Sequence, residues 1–157
     1  MREWKEYLDE VVEPDDVQIK GMSIKDELDP LIWDRNRLKD YIAEHLYTIA
    51  KNFFKTLELD WKTVKDVILT GSLANYNWSK YSDVDLHILV DFRDIDENEK
   101  LVKDFFKNAT IIWNKTHTIK VKGHLVELYV QDSREPHHST GVYSIKYDRW
   151  NKMPSQY

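Results

Sequence analysis

Residues 67–92, VILTGSLANYNWSKYSDVDLHILVDF, constrain the fold more than any other stretch of the chain. An apolar run ends at Gly71-Ser72, ten residues intervene, and a second apolar run follows. In it Val84, Leu86, Ile88 and Val90 alternate with Asp83, Asp85, His87 and Leu89. A period of two is the pattern of a strand with one buried face, so both carboxylates project from the same side. Like charges that close repel, and a cation between them removes the repulsion. Gly71-Ser72 ends the first run where a helix can start, a place suited to a phosphate. Together these residues point to metal-assisted chemistry on a nucleotide.

A chain of 157 residues holds one domain, or one domain with an appendage, and can bury a core. At 41% hydrophobic and 13% aromatic it is too apolar for disorder. No apolar run approaches the roughly 20 residues of a membrane span, and MREWKEYLDE is too charged for a signal peptide. The expectation is a cytoplasmic protein with no membrane partner. The absence of cysteine excludes disulfides and thiolate metal sites. The net charge of -5 is concentrated in residues 1–30, which carry four Lys/Arg against ten Asp/Glu. The other 127 residues carry nineteen against eighteen. The chain therefore divides into an acidic N-terminal arm, residues 1–33, and a nearly neutral body, residues 34–157. That body lacks the basic footprint of a protein that holds long duplex nucleic acid unaided.

Trp4, Leu8, Val11 and Val12 fit one side of a short amphipathic helix that Pro14 would stop. Residues 17–30 read as an extended arm over the body. Asp34 is expected to cap a first long helix whose stripe is Leu38, Ile42, Leu46, Ile49, Phe53 and Leu57. Val67-Ile68-Leu69 reads as a buried strand, SLANYNWS as a short helix and loop, and Val84 to Val90 as the second strand. Asp94 or Asp96 is expected to cap the next helix, with Glu97 and Glu99 in its first turn. Its inner stripe reads as Leu101, Val102, Phe105, Ala109, Ile112 and Trp113. Residues 118–130 form a hairpin turning at Lys122-Gly123, which sets Glu127 as an acid in an otherwise apolar strand. Residues 141–145 close the sequence of elements as a last strand. This order implies an α/β (α+β) domain with a small mixed sheet flanked by helices.

Gly71-Ser72, a spacer of ten and Asp83-Val84-Asp85-Leu86 resemble the signature of the DNA polymerase beta-like nucleotidyltransferase superfamily. The segments LDPLIWD, LTGSLANYNWSKYSDVDLH and STGVYS further resemble small nucleotidyltransferase-like proteins of tailed phages, which would place the chain in a host cytoplasm. The resemblance implies a minimal nucleotidyltransferase fold, with residues 34–157 as the nucleotidyltransferase domain. It also implies transfer of a nucleoside monophosphate from an NTP to a hydroxyl, releasing pyrophosphate. Asp83 and Asp85 match the family's metal-binding acids, which hold two Mg²⁺ (or Mn²⁺) ions, and Glu127 matches the third acid. Ser72 matches the residue that contacts the terminal phosphates, Gly71 the close backbone approach, and Lys80 is a neighbouring cation that could assist. The acceptor stays open between an RNA end, a protein hydroxyl and a small molecule. Only about 27 residues follow Val130, so the missing acceptor surface is expected from residues 1–33, from an oligomer or from a partner protein.

An isolated DxD also occurs on surface strands and in sugar-nucleotide glycosyltransferases, but those lack an upstream Gly-Ser at this spacing. A second reading keeps the fold as a catalytically inactive nucleotide-binding or protein-interaction module. His87 shares the acid face one step further along and suits a supporting hydrogen bond. His137-His138 reads as solvated. Tyr76, Trp78 and Tyr81 suit packing of the connection on the sheet better than stacking on a base. Trp33, Trp61, Trp113 and Trp150 read as core.

Overall fold

The structure, a computed structural model, describes residues 24–156. The amphipathic stretch expected over residues 1–13 lies outside the described residues. Among the described residues, eight strands and two long helices follow in the order β1 (Trp33–Asp34), β2 (Arg37–Leu38), α1 (Asp40–Thr56), β3 (Val64–Thr70), β4 (Val84–Val90), α2 (Glu99–Thr116), β5 (Lys120–Val121), β6 (His124–Asp132), β7 (Val142–Ser144) and β8 (Arg149–Lys152). The main sheet has the strand order β5-β6-β4-β3-β7-β8. Only β4 and β6 run parallel, with α2 as the crossover between them. The fold is a mixed α+β domain, as the element order implied.

One face of the sheet carries the core. Val67, Leu69, Val84, Leu86, Ile88, Val90, Val126 and Leu128 meet Ile42, Leu46, Ile49, Phe53 and Phe54 of α1 and Val102 and Phe106 of α2. Adjacent residues on each strand turn to opposite faces, so Asp85, His87, Glu127, Tyr129 and Gln131 share the side away from this core. A small separate cluster, Ile68, Leu89 and Val142, lies off the main core. The hairpin β5–β6 turns at Lys122 and Gly123, both at positive φ, as the Lys-Gly pair predicted.

Several sequence expectations give way to tertiary pairing. Asp34 does not cap α1. Trp33 and Leu38 are both buried and face each other across the β1–β2 hairpin, with Arg35 in the left-handed region at the turn. Helical phase from Asp34 would have separated that apolar pair. The helix instead starts at Asp40, after a Lys39 cap that makes no side-chain bond. Arg37 pairs with Asp40 and with Asp148 at 2.8 Å each, which pins the hairpin to the helix start. Asp94 and Asp96 do not cap α2, and Glu97 lies ahead of it. Residues Phe92–Asp94 form a single 3-10 turn headed by Asp91, and Asn98 caps α2 by accepting from the Leu101 amide. The short helix expected after Gly71 is one 3-10 turn, Ser72–Ala74.

The inner stripe of α2 also differs. Val102, Phe106 and Thr110 are buried, with Ala109 and Trp113 partly so, whereas Leu101, Phe105 and Ile112 are 59%, 44% and 63% exposed. Phe106 stacks near Phe54 and Phe92, and this aromatic contact sets the rotation of the helix. Apolar residues occupy two adjoining faces of α2, so the expected stripe holds at Val102, Ala109 and Trp113 and fails at Leu101, Phe105 and Ile112. Phe106→Ala is therefore expected to cost about 3–5 kcal/mol and Phe105→Ala under about 1, read by chemical denaturation. Equal losses would contradict the rotation described.

Candidate functional site

The site begins where β3 ends. Thr70 pairs with Asp85 across the antiparallel β3–β4 ladder, so the turn that follows is folded back onto the start of β4. Gly71 sits at φ +80, a conformation that strains a residue with a side chain. A Cβ there would also lie 2.3 Å from Asp85 Oδ2. Position 71 is thus restricted to glycine twice over, by its backbone and by the carboxylate packed against it. Asn75 holds the turn from behind, donating to the Gly71 carbonyl at 2.7 Å and accepting from the Thr140 hydroxyl.

The connection from Asn75 to Asp83 has no helix or strand, and Ser82 organises its end. Ser82 Oγ accepts from Ser72 Oγ at 2.7 Å and from the Ser79 amide at 2.9 Å. The two halves of the sequence motif are therefore joined through a serine–serine hydrogen bond as well as through Gly71 and Asp85. Lys80 is exposed in this connection, with its Nζ 5.0 Å over the Tyr81 ring. Tyr76 and Trp78 pack on the core, and Trp78 donates to the Glu27 carbonyl at 2.8 Å, whereas Tyr81 is exposed.

The acids stand at the junction of three strands. Asp83 immediately precedes β4, Asp85 lies within it, and Asp85 is in parallel register with Glu127 on β6. Adjacent strands lie about 4.8 Å apart, which brings these side chains together on one face. Burial, then the Glu127 carboxylate and then that of Asp83, push Asp85 up to about 6. Asp83 is also raised, by partial burial first and Glu127 next, with His124 opposing. The three acids thus share one electrostatic environment, and it is one that a cation would relieve. An all-carboxylate donor set suits hard divalent ions such as Mg²⁺. Among the described residues no three His, Asp or Glu side chains close into a ready-made cage, and Glu127 Oε2 accepts from the Tyr129 hydroxyl at 2.6 Å.

Beyond the acids, His87 Nδ1 lies 2.7 Å from Gln131 Oε1, and its ring tilts against Tyr129 at a centroid distance of 4.9 Å. Burial holds His87 below the usual imidazole range. Burial and the bond to Glu127 push Tyr129 well above the usual phenol range. His137 of the following loop reaches Gln131 at 3.4 Å, while His138 is exposed.

Sequence reasoning missed Ser82, Asn75, Tyr129 and Gln131, as well as a buried pair, His124 and Asp29. His124 was legible in principle: it shares the strand parity of Val126 and Leu128, which predicts burial in the core. Tyr129 and Gln131 share the strand parity of Glu127, whereas Ser82 and Asn75 carry no pattern, because they and their partners lie outside the strands.

A family model described as a nucleotidyltransferase domain matches residues 50–140, from within α1 through β6 to the loop beyond it, and so includes Gly71, Ser72, Asp83, Asp85 and Glu127. No curated protein and no solved structure matches the chain. The value for folded Asp85, about 6, lies above the unfolded value, so its contribution to stability is full below about pH 4. That contribution is lost as pH rises through about 6. In chelator-treated protein near neutral pH, Asp85→Asn should stabilise by about 1–2 kcal/mol once screening of this partly exposed group is allowed for. The gain should vanish below about pH 4 in thermal unfolding. A variant no more stable than wild type at any pH would contradict the repulsion.

Proposed function

The chain belongs to the nucleotidyltransferase-domain family, and from that premise we propose that it transfers a nucleoside monophosphate from an NTP to a hydroxyl, with release of pyrophosphate. One observation carries the reading: the Gly71-Ser72 turn is packed directly on Asp85, which stands in register with Glu127. The candidate phosphate turn and the acids are therefore parts of one constellation. Asp83, Asp85 and Glu127 would hold divalent ions, two Mg²⁺ or Mn²⁺. Bound there, such ions supply the charge that activates an attacking hydroxyl and stabilises a leaving pyrophosphate.

The chain's own residues have distinct tasks in this reading. Ser72 offers a hydroxyl, and Gly71 a backbone without a side chain, to the terminal phosphates. Lys80 is close enough in the chain to swing toward them. The new bond joins the acceptor oxygen to the α-phosphorus, the bond from the α-phosphorus to the bridging oxygen breaks, and the hydroxyl proton is released. In such an in-line displacement the attacking and leaving oxygens lie on opposite sides of the phosphorus. With the leaving pyrophosphate toward Ser72, the acceptor oxygen would attack from the opposite side of the phosphorus. The acceptor is an RNA end, a protein hydroxyl or a small molecule, and a second copy or a partner protein would supply any further surface that holds it. The phage-like segments support a host-cytoplasm setting.

One observation favours the second reading, a nucleotide-binding or interaction module without turnover: the Tyr129 phenol already occupies Glu127. Incubation with α-phosphate-labelled NTPs, Mg²⁺ or Mn²⁺, the protein itself and total RNA separates the two. Metal-dependent label transfer is expected, with Asp83→Asn or Asp85→Ala lowering its rate on the order of 10²–10³-fold while the fold is kept. Nucleotide binding without transfer to any acceptor would support the module instead.

A further inference from the structure

The ladder fixes Asp85 from both sides, through Thr70 and Glu127. Asp83 has no such support, since β4 begins one residue later. What holds it is the peptide before it. The Ser82 carbonyl lies 2.7 Å from His124 Nδ1, and His124 Nε2 lies 2.8 Å from Asp29 Oδ2. His124 and Asp29 are each only 2% exposed. Both ring nitrogens face acceptors, so an imidazolium beside a carboxylate satisfies every group at once. Asp29 is itself fixed: Oδ1 accepts from the Leu31 amide at 3.0 Å, and its carbonyl accepts from the amides of Ile32 and Trp33.

The same stretch of chain braces the whole connection between Gly71 and Asp83. The Lys25 amide donates to the Tyr76 carbonyl at 2.6 Å, Trp78 donates to the Glu27 carbonyl, and Trp33 Nε1 donates to the Leu73 carbonyl at 2.8 Å. These bonds take the place of a regular element there. A buried ion pair is weak evidence for stability, because apolar residues of similar volume often replace one without loss. Its placement at the peptide bearing Asp83 is what needs explaining.

Resting on the transfer reading above, we propose that Asp29 and His124 are positioning residues that hold the Ser82–Asp83 peptide, and with it the Asp83 carboxylate, at the spacing from Asp85 that a divalent ion requires. The pair touches neither nucleotide nor ion and acts through Ser82. Supporting partners of this kind are commonly worth 10–100-fold in metal affinity.

Three proteins test this: wild type, Asp29→Asn, and the double variant Asp29→Leu/His124→Leu. In Asp29→Asn the amide can donate to Nε2 of a neutral imidazole whose Nδ1–H still reaches Ser82, so the brace survives. The leucine pair fills the space with apolar side chains and removes the hold on Ser82, together with the Asp29 bond to the Leu31 amide. Amide hydrogen exchange over residues 79–83 should accelerate at least about tenfold in the leucine pair, with β3 and β6 unchanged, and stay near wild type in Asp29→Asn. Mn²⁺ alone should bind about tenfold or more weakly to the leucine pair and near normally to Asp29→Asn. Unchanged exchange at residues 79–83 in the folded leucine pair overturns the proposal, as does weakened Mn²⁺ binding of equal size in Asp29→Asn. A wild type that binds no Mn²⁺ would instead count against the transfer reading, and the exchange experiment would still decide the brace.

Discussion

The close packing of the Gly71 backbone on the Asp85 carboxylate is the contact on which the rest of the site depends. A side chain at position 71 would have to enter the space that Oδ2 fills, so the β3–β4 connection can take this path only with glycine there. Once the path is set, Ser72 arrives beside Ser82, and the hydroxyl pair closes a ring through Gly71, Asp85, Asp83 and Ser82. Asp83 and Asp85 then sit where burial and the neighbouring carboxylates work against their charged forms. Such an arrangement is unfavourable in isolation and is the usual mark of a site built for a charged ligand.

Much of this is legible in the amino-acid sequence. The alternation from Val84 to Val90 gave the strand and its acid face, and the Lys122-Gly123 turn gave the hairpin that carries Glu127. These succeed because strand parity and turn chemistry are local. Each residue's face follows from its neighbours one or two places away. The family match over residues 50–140 covers the same stretch.

What was not readable depends on partners distant in sequence. The β1–β2 hairpin exists because Trp33 stacks on Trp150 and meets Tyr143 edge-on, a contact no window around Asp34 contains. The orientation of α2 was decided by Phe54 and Phe92 from other elements. Asp29 carries no signal at all: in sequence it is one acid in an acidic stretch, and in the fold it is buried against His124. Acidic composition groups residues 24–33 with the arm, yet Leu28 and Ile32 are core residues, as Trp33 is expected to be, and Asp29 reaches the acid loop. Burial, not composition, distinguishes this acid from its neighbours.

The parallel pairing of β4 with β6 has a consequence in time as well as in space. A parallel partner cannot be reached by a tight turn, so Asp85 and Glu127 become neighbours only after α2 has crossed over and docked. Until then β4 is an edge strand whose Leu86, Ile88 and Val90 lack their β6 partners, open to pairing with another chain. A ribosome releases the first two acids well before the third, and loop closure of that length slows the step that joins them. Assembly of the three-carboxylate cluster therefore reports the docking of α2 and β6, and a chain truncated within α2 would aggregate rather than retain partial competence.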